Sequence, residues 1–589
     1  MQQPTSFYKT QLDTFKQHVS RLNKQLIGLS SIRLVVFVLT VVGVYFTYNN
    51  WQVAAGISVF GIVAFLITLS KYTDTKWERD LNKALVTINE EELTIASGQF
   101  QHRDSGTEFQ EPKHFYSLDI DLFGNGSFFQ FINRTSITEG KTTLANLLKA
   151  NNISNIKLRQ EVVKELSSKP EWRQLYSATA SLIHVEVSAR YIIQWLTQHK
   201  QFLPKIMRWL PMMFSGITVL FFVLFLFKIL DVSILGYWLL LGLFITGVYV
   251  KKINILSQQT DKAKDTFKQY SQLLKQIENT SFSSELLQEK QQKIQNNHKK
   301  ASVIFKQFSK YLDALDNRNN LIGAIFGNGL FLTDLKNSYK IEQWIATYNK
   351  TVADWFEVVT FFDAYNSLGN YAFNHPEFVY PKLVNKGICI KAEQLGHPLL
   401  QADKRVDSDL NIDNEQFFIV TGANMAGKST FLRTVSLHIV MANVGLPVCA
   451  HKSEYSPIKL ITSMRTSDSL TDDSSYFFSE LTRLKFIVDA IKTESYFIIL
   501  DEILKGTNST DKAIGSQKFV EKLVSSHATG IIATHDLSLT KIETNLDQVK
   551  NYFFDAEIKN EELYFDYKLK KGVCQNMNAS FLLKKMEIV

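Results

Sequence analysis

The sequence predicts a mixed fold in which α-helical membrane hairpins and a helical lever segment are joined to a C-terminal α/β domain. Three observations lead to this fold class. Long apolar runs lie in the first half of the chain, the stretches around them are polar with helical spacing, and short apolar strands alternate with helices from about residue 382. Alternation of this kind is typical of a largely parallel sheet covered by helices.

The chain has 589 residues, which is too long for one hydrophobic core, so several domains are expected. The predicted segments are an amphipathic N-terminal helix (1–31), a transmembrane hairpin (32–70), a helical core (71–209), a second transmembrane hairpin (210–250), a helical lever segment (251–381) and an α/β domain (382–589). Prolines at positions 376 and 381 mark the last boundary.

Charge and cysteine content narrow the function classes. The net charge is +8 and the isoelectric point is near 8.9. This mild excess fits phosphate-rich partners, either nucleic acid or anionic lipid, but it also fits lysines that are simply solvated on helical faces. The three cysteines, Cys389, Cys449 and Cys574, have no metal-type spacing. The low number of cysteines and the absence of metal-type spacing argue against a zinc site or a disulfide framework.

The apolar runs cover residues 32–48, 51–69, 210–227 and 232–250. Each is about long enough to cross a hydrocarbon layer of about 30 Å as a helix, so four transmembrane helices in two hairpins are predicted. A signal peptide is an alternative for the first run, but more than 30 mostly polar residues precede it and no small-residue cleavage site follows. Buried core helices are a second alternative, which the length and lack of charge disfavour.

Basic residues flank the outer ends of the two hairpins, whereas the two short turns carry one lysine between them. The flanking residues are Lys16, Arg21, Lys24, Arg33, Lys71, Lys76, Arg79, Lys205, Arg208, Lys251 and Lys252. The positive-inside rule therefore predicts a multi-pass protein of the cytoplasmic (inner) membrane, with both termini and the α/β domain in the cytoplasm.

A glycine-rich loop of the form G-x-x-x-x-G-K-S follows an apolar strand at 417–420 and opens a helix. Such loops wrap backbone amides around phosphate oxygens, so ATP or GTP binding is predicted. Lys428 would reach the β- and γ-phosphates, and the Ser429 hydroxyl would ligate Mg²⁺. The alternative is a glycine turn before a helix. The predicted nucleotide-binding residues of this loop are Gly422, Ala423, Asn424, Met425, Ala426, Gly427, Lys428, Ser429 and Thr430.

Two further strands end in polar side chains. The strand at 496–500 ends in Asp501 and Glu502, and the strand at 529–533 is followed by His535. Asp501 would hold Mg²⁺ together with Ser429, and Glu502 would orient and deprotonate the attacking water. His535 would sense the γ-phosphate or the water. The alternatives are an acidic turn at a strand end and a structural histidine. Predicted catalytic residues are thus Glu502, His535 and Lys428.

These motifs together resemble the MutS family of mismatch-repair ATPases. Residues 422–433 look like the family's phosphate loop, including its Asn-Met pair, and residues 501–507 are similar to its Asp-Glu-Ile-Gly-Arg-Gly-Thr. Residues 533–535 match its Ala-Thr-His, and residues 396–398 match its Gly-His-Pro. Residues 475–481 look like its Ser-Thr-Phe-Met-x-Glu-Met segment. A weaker likeness covers 110–210 and the helical part after 253.

The resemblance implies an ATPase domain of the ABC/MutS type with ATP and Mg²⁺ as cofactors. It also implies a homodimer formed through the ATPase domains, in which Ser475 of one subunit reaches the nucleotide of the other. We expect a membrane-anchored, short variant without the N-terminal mismatch-reading domain. ATP is favoured over GTP because the chain has no guanine-reading Asn-Lys-x-Asp motif.

Three functions remain open from the sequence. The first is a membrane-anchored ATPase of the mismatch-repair or DNA-structure-sensing type, whose levers bind DNA. The second is an ATP-driven membrane machine or remodelling ATPase whose levers move the inserted hairpins and do not act on DNA. The third is a nucleotide-gated scaffold without turnover, which the intact Glu502 disfavours.

Overall fold

The computed structural model describes residues 3–295, 299–385, 387–465, 476–559 and 562–575. The chain divides into two compact units. The first contains Met1–Leu93, Thr135–Lys141 and Glu171–Asp363, and the second contains Thr94–Arg134, Thr142–Pro170 and Ala364–Val589. The mixed class expected from the sequence is confirmed, because helices dominate the first unit and two β-sheets lie in the second.

The α-helices of the described residues are listed here in chain order. They are α1 (Pro4–Thr47), α2 (Trp51–Ala96), α3 (Phe128–Ile132), α4 (Thr138–Lys149), α5 (Ile156–Ser167), α6 (Pro170–Ser181), α7 (Ala189–Gln198), α8 (Leu210–Leu226), α9 (Val232–Gly247), α10 (Val250–Glu278), α11 (Glu285–Gln295), α12 (Ala301–Asp316), α13 (Leu321–Phe331), α14 (Thr333–Tyr348), α15 (Val352–Asn374), α16 (Lys428–Val444), α17 (Tyr476–Ala490) and α18 (Ser509–Ser525).

Helices α1 and α2 form a long antiparallel hairpin. Near its open end, Lys16 Nζ lies 2.7 Å from Glu90 Oε1. Nearer the turn, a Cβ atom added to Gly61 would lie 2.1 Å from Thr40 Oγ1, so the two helices approach closely at this glycine. Small residues at such crossings are typical of helices that pack in a membrane. Both helices are long and apolar enough to span one.

The prediction of four transmembrane helices is wrong for the second pair. Among the described residues, only α1 and α2 are singly long and apolar enough to span a membrane, and a third span arises only if α9 and α10 are joined across a bend of 68°. Helix α8 has 17 residues and α9 has 16. At about 1.5 Å per residue these lengths fall short of a hydrocarbon layer of about 30 Å. The helices are short because the chain breaks at Phe227 and again at Val248.

The helical part of the first unit is held by aromatic packing between neighbouring helices. Helices α10 and α12 are joined by an ion pair in which Lys264 Nζ lies 2.8 Å from Asp316 Oδ2. The rings of Phe308 on α12 and Trp344 on α14 stack with centroids 3.7 Å apart. The ion pair and the stacked rings join α10, α12 and α14 into one helical stack. Stacked aromatic pairs stabilise cores beyond their buried area.

The second unit contains the strands β1 (Lys382–Leu383), β2 (Ile388–Leu395), β3 (Ser408–Asp413), β4 (Phe417–Gly422), β5 (Lys452–Tyr455), β6 (Lys459–Ser463), β7 (Tyr496–Asp501), β8 (Thr529–Ala533), β9 (Val549–Lys559) and β10 (Glu562–Lys571). The large sheet has the order β10-β9-β4-β8-β7-β6. All of its pairs are parallel except β9 with β10, as the largely parallel prediction requires. The small sheet, β1-β5-β2-β3, includes antiparallel pairs that the sequence did not predict.

The parallel order decides where the polar strand ends meet. Strands β4 and β8 are buried throughout, and β7 is buried up to its last residue. Residue Val420 pairs with Ala533, and Ala533 pairs with Asp501. Carboxyl ends of neighbouring parallel strands lie on one edge of a sheet, so the glycine loop, the acidic pair and His535 begin from adjacent positions.

Candidate nucleotide site

The glycine loop between β4 and α16 has a backbone that requires glycine at both ends. Gly422 has φ 150°, and a Cβ atom there would lie 2.7 Å from the carbonyl oxygen of Phe554. Gly427 has φ 102°, and its Cβ would lie 3.1 Å from Tyr567 Cδ1. Between them, Met425 also has a positive φ of 67° and is 79% exposed. The loop therefore opens to solvent directly in front of the N-terminus of α16, where anions are favoured.

Lys428, the first residue of α16, turns its ammonium group back toward the loop. Its Nζ donates to the carbonyl oxygens of Gly422 at 2.8 Å and of Ala423 at 2.9 Å. Burial lowers the pKa of Lys428, while the nearby carboxylates of Asp501 and Glu502 oppose that shift. A partly desolvated cation of this kind is placed to attract phosphate oxygens.

Ser429 and Asp501 form the second pair. The Ser429 hydroxyl donates to Asp501 Oδ2 at 2.6 Å, joining the first turn of α16 to the end of β7. A hydroxyl and a carboxylate are oxygen donors of the kind that Mg²⁺ takes from a protein, the remaining ligands being phosphate oxygens and water. The donor chemistry of this pair therefore fits the predicted ion.

Glu502 and His535 form the third pair. The distance between His535 Nε2 and Glu502 Oε1 is 2.8 Å. This hydrogen bond, with support from the charge of Lys505, lowers the pKa of Glu502 to about 2 although partial burial opposes the shift. Glu502 itself has a left-handed φ of 50°, and its amide donates to the carbonyl oxygen of Ala533 at 2.9 Å. The carboxylate is thus held ionised and aimed by a strained backbone.

The His535 ring nitrogen Nε2 also lies 3.2 Å from Lys428 Nζ. A neutral ring nitrogen either donates or accepts, and Lys428 has only hydrogens to give. Lys428 already donates to two carbonyl oxygens and does not need Nε2 as a third acceptor. If Nε2 instead donates to the Glu502 carboxylate, both His535 and Glu502 have a hydrogen-bond partner. This choice makes His535 a donor toward Glu502.

These side chains surround a single cleft of about 630 Å³. The predicted site residues that line it are Asn424, Met425, Ala426, Gly427, Lys428, Ser429, Thr430, Asp501, Glu502 and His535. Gly422 and Ala423 contribute the carbonyl oxygens bonded to Lys428 instead. Ser475 lies outside the described residues.

Sequence reasoning missed several other residues of the cleft wall. Phe554 and Tyr567 reach it from the antiparallel pair β9 and β10, whose register no local motif indicates. His397 also lines the cleft, and burial lowers its pKa to about 4, so its ring is neutral near pH 7. Lys505 completes the wall beside Glu502. Two of these residues had a sequence signal, since His397 lies in the Gly-His-Pro motif and Lys505 lies in the 501–507 segment.

Glu480 on α17 was also missed as a positioning residue for the catalytic loop. Its buried carboxylate accepts the backbone amide of Leu504 at 2.6 Å and that of Lys505 at 3.0 Å. Burial raises the pKa of Glu480, and the two amide hydrogen bonds oppose the shift. Two acceptors facing two donors fix the backbone that follows Glu502.

We expect Glu480→Gln to lower turnover while leaving nucleotide affinity unchanged. The amide has only one acceptor oxygen, so its NH₂ group would face a backbone N–H that has lost its partner. Loss of a hydrogen bond to a charged group costs about 1.5–3 kcal/mol. The measurement is kcat and KM for ATP hydrolysis, together with nucleotide binding at equilibrium.

Glu494→Gln is the control, because it makes the same chemical change at an exposed carboxylate that pairs with Lys459 on the surface. Surface ion pairs contribute little, so both constants should stay at the wild-type level. A Glu480→Gln protein with wild-type kcat would show that this contact does not position the loop.

Comparisons with known proteins fit this geometry. A strand, a glycine loop, a helix and an acidic strand end are the parts of a P-loop nucleotide-binding domain. Residues 418–585 match the family model of MutS domain V. MutS protein homolog 4 of Homo sapiens is 32% identical over 224 residues, which are 36% of this chain and 23% of that protein.

Two bacterial MutS proteins are similar to this chain over a comparable part of its length. The DNA mismatch repair protein MutS of Staphylococcus haemolyticus (strain JCSC1435) is 29% identical over 242 residues, 40% of this chain and 27% of that protein. The DNA mismatch repair protein MutS of Thermotoga petrophila is 32% identical over 182 residues, 30% of this chain and 23% of that protein. These matches support the MutS family for the α/β part of the chain. The aligned part spans only about a quarter of the relatives' length.

Proposed function

We propose that this chain binds and hydrolyses Mg·ATP. The observation that supports the proposal most strongly is the convergence of three pairs of groups on one cleft. These are the Lys428 ammonium with the loop carbonyls, the Ser429 hydroxyl with Asp501, and His535 with Glu502. Release of phosphate from Mg·ATP by the purified full-length chain is the direct test.

In this proposal the residues act in a fixed order. Lys428 exchanges its carbonyl acceptors for β- and γ-phosphate oxygens, and the loop amides bind the same phosphates. Ser429 and Asp501 would hold Mg²⁺, which when bound would neutralise charge on the phosphate oxygens. Glu502 takes a proton from the attacking water as its oxygen bonds to the γ-phosphorus and the bond from phosphorus to the ADP oxygen breaks.

In this proposal, His535 couples nucleotide binding to the basicity of Glu502. Its hydrogen bond is the main reason that the pKa of Glu502 falls to about 2, and a carboxylate with so low a pKa is a weak base. If His535 turns toward the γ-phosphate, Glu502 loses this hydrogen bond and its pKa rises. Glu502 would then become a stronger base only when nucleotide is in place.

The proposed assembly is a homodimer anchored in the cytoplasmic membrane. Helices α1 and α2 supply the anchor, and their basic flanks favour cytoplasmic termini and a cytoplasmic ATPase domain. The dimer, with Ser475 of one subunit at the nucleotide of the other, follows from the resemblance to the MutS family. Closing of two ATPase domains on ATP would then move the helical segments attached to them.

We further propose duplex DNA as the ligand of the helical segments. Two relatives are DNA mismatch repair proteins by name, and the net charge of +8 suits a phosphate backbone. The second candidate, a membrane machine that does not act on DNA, is favoured by the apolar helices α8 and α9 within the helical unit.

A titration of the detergent-solubilised chain with homoduplex, mismatched and branched DNA separates the two candidates. If DNA is the ligand, affinity should fall steeply as salt rises, because each phosphate contact releases a counterion, with a slope of about −0.9 per contact on a log–log plot. The fluorescence anisotropy of labelled DNA measures this slope. Absence of salt-sensitive binding to all three DNAs would contradict the DNA proposal and favour the membrane machine.

A further inference from the structure

Helix α13 is apolar and exposed, and the sequence had not indicated it as a membrane segment. No charged side chain occurs between Leu321 and Thr333. Ile322 is 69% exposed and Phe326 is 53% exposed. The helix has 11 residues, which is too short to span a hydrocarbon layer.

The backbone of α13 lies directly against the backbone of α9. A Cβ atom added to Gly242 would lie 2.2 Å from the carbonyl oxygen of Gly329, and one added to Gly329 would lie 2.6 Å from Leu239 Cγ. Contact this close is open only to glycine, and it is the way helices pack where lipid removes the hydrophobic driving force between them.

Helix α8 completes the cluster through polar groups that are satisfied inside it. The Thr218 hydroxyl donates to the carbonyl oxygen of Leu330 at 2.6 Å and accepts from Trp238 Nε1 at 2.9 Å. The rings of Phe214 and Trp238 stack with centroids 4.2 Å apart. Internal satisfaction of these groups is what a hydrocarbon environment requires, because no water is present to take their place.

The residues that flank α13 are joined by a buried ion pair. Arg318, which precedes the helix, has its Nε 3.2 Å from Oδ2 of Asp334, which follows it, and both side chains are largely buried. Asn328 closes the C-terminal end by accepting the amide of Asp334 at 2.8 Å. These contacts fix α13 to the polar helices that precede and follow it.

The outward faces of α8 and α9 are apolar as well, and basic residues mark their bases. Exposed side chains include Phe222 and Phe244. Lys205 and Arg208 precede α8, and Lys251 with Lys252 follows α9. An exposed apolar surface of this extent marks a membrane or partner contact, and a basic rim complements anionic lipid headgroups.

We propose that α13 is an interfacial membrane helix whose exposed apolar face enters the hydrocarbon of one leaflet beside α8 and α9, held there by the contact between Gly242 and Gly329. Its 11 residues give about 16 Å, and α14 begins at Thr333, two residues after α13 ends, so the helix lies along one face of the bilayer and does not cross it. This inference rests on the proposed membrane anchoring of the chain and adds the cluster of α8, α9 and α13 to that anchor.

Quenching by lipids with brominated acyl chains tests the proposal, because contact with such chains lowers the emission of a fluorophore. The full-length chain would carry one fluorophore at a time, through Phe326→Cys on α13, Phe60→Cys on α2 or Val303→Cys on the amphipathic helix α12. The vesicles would contain phosphatidylcholine and phosphatidylglycerol. We expect loss of emission at positions 326 and 60 and none at 303.

The outcomes at positions 326 and 60 distinguish the proposal for α13 from the proposed anchor formed by α1 and α2. Quenching at 60 but not at 326 would overturn the interfacial helix and leave the anchor intact, whether 326 faces water or a protein partner. Quenching at neither position would overturn both. Quenching at 326 but not at 60 would support α13 and remove α2 as a membrane helix.

A matched pair of glycines on α9 tests the crossing itself. Gly242→Ala places a methyl group against the backbone of Gly329, whereas Gly236→Ala meets nothing within 4 Å. With the fluorophore at 326, we expect Gly242→Ala to reduce quenching and Gly236→Ala to leave it unchanged. Equal quenching in the two variants would show that the glycine contact does not hold α13 in the bilayer.

Discussion

Glu502→Gln should leave ATP bound and slow its hydrolysis by about 10²–10⁴-fold, the usual contribution of a general base. Glutamine has nearly the shape of glutamate, so the backbone at the end of β7 and the amide bond to Ala533 should persist. It cannot accept the proton of the attacking water. The side chain also loses the charge that His535 and Lys505 stabilise in the wild type.

Single-turnover phosphate release and equilibrium nucleotide binding measure the two expected effects separately. Glu494→Gln, at an exposed carboxylate, is the matched control and should behave as wild type. Wild-type turnover in the Glu502→Gln protein would remove Glu502 as the base. Loss of ATP binding together with turnover would show that this carboxylate acts in binding instead.

Lys428→Ala should abolish detectable nucleotide binding. The substitution removes the cation nearest the phosphates and leaves the carbonyl oxygens of Gly422 and Ala423 without their donor. Hydrogen bonds to charged groups contribute about 1.5–3 kcal/mol each, so the loss of several exceeds a hundredfold in affinity. Burial lowers the pKa of Lys428, so its ammonium is partly desolvated and its attraction for phosphate oxygens is weakly screened by water.

Binding of a fluorescent ATP analogue to the detergent-solubilised chain measures this effect. Lys452→Ala is the control, because Lys452 is an exposed lysine that pairs with Glu393 on the small sheet. Its variant should bind nucleotide as the wild type does. Unchanged affinity in the Lys428→Ala protein would refute the assignment of the phosphate-binding loop.

The core of the site could be predicted because its parts are local in sequence. A strand, a glycine loop and a helix are consecutive, so Lys428 and Ser429 are placed by the motif that contains them. Asp501 and His535 follow strands that neighbour one another in a parallel sheet, and parallel order brings their ends to one edge. Local spacing and one topological rule therefore gave the positions of these side chains.

Contacts made across the fold could not be predicted. Glu480 bonds to amides 24 and 25 residues away, and Tyr567 reaches the loop through the register of an antiparallel edge pair. Neither separation leaves a periodic signal. The pairing of His535 with Glu502 likewise depends on the left-handed backbone at Glu502, which residue type alone does not indicate.

The apolar segments show the same limit. Composition marks α8 and α9 as apolar, but it does not indicate where each helix ends, so it predicts two spans where the structure has two short helices. The sequence does not indicate α13 as a membrane element, because its 11 residues are too few for a spanning helix. Its environment became visible only through Gly242, Gly329 and Thr218, which lie far from one another in sequence.

We propose above all that one chain joins an ATPase to a bilayer. Flotation of vesicles that contain the purified full-length chain through a density gradient, followed by assay of Mg·ATP hydrolysis in each fraction, tests it most directly. We expect hydrolysis to float with the lipid and to be lost in the Glu502→Gln protein. Hydrolysis that stays at the bottom of the gradient, or floated protein without any hydrolysis, would contradict it.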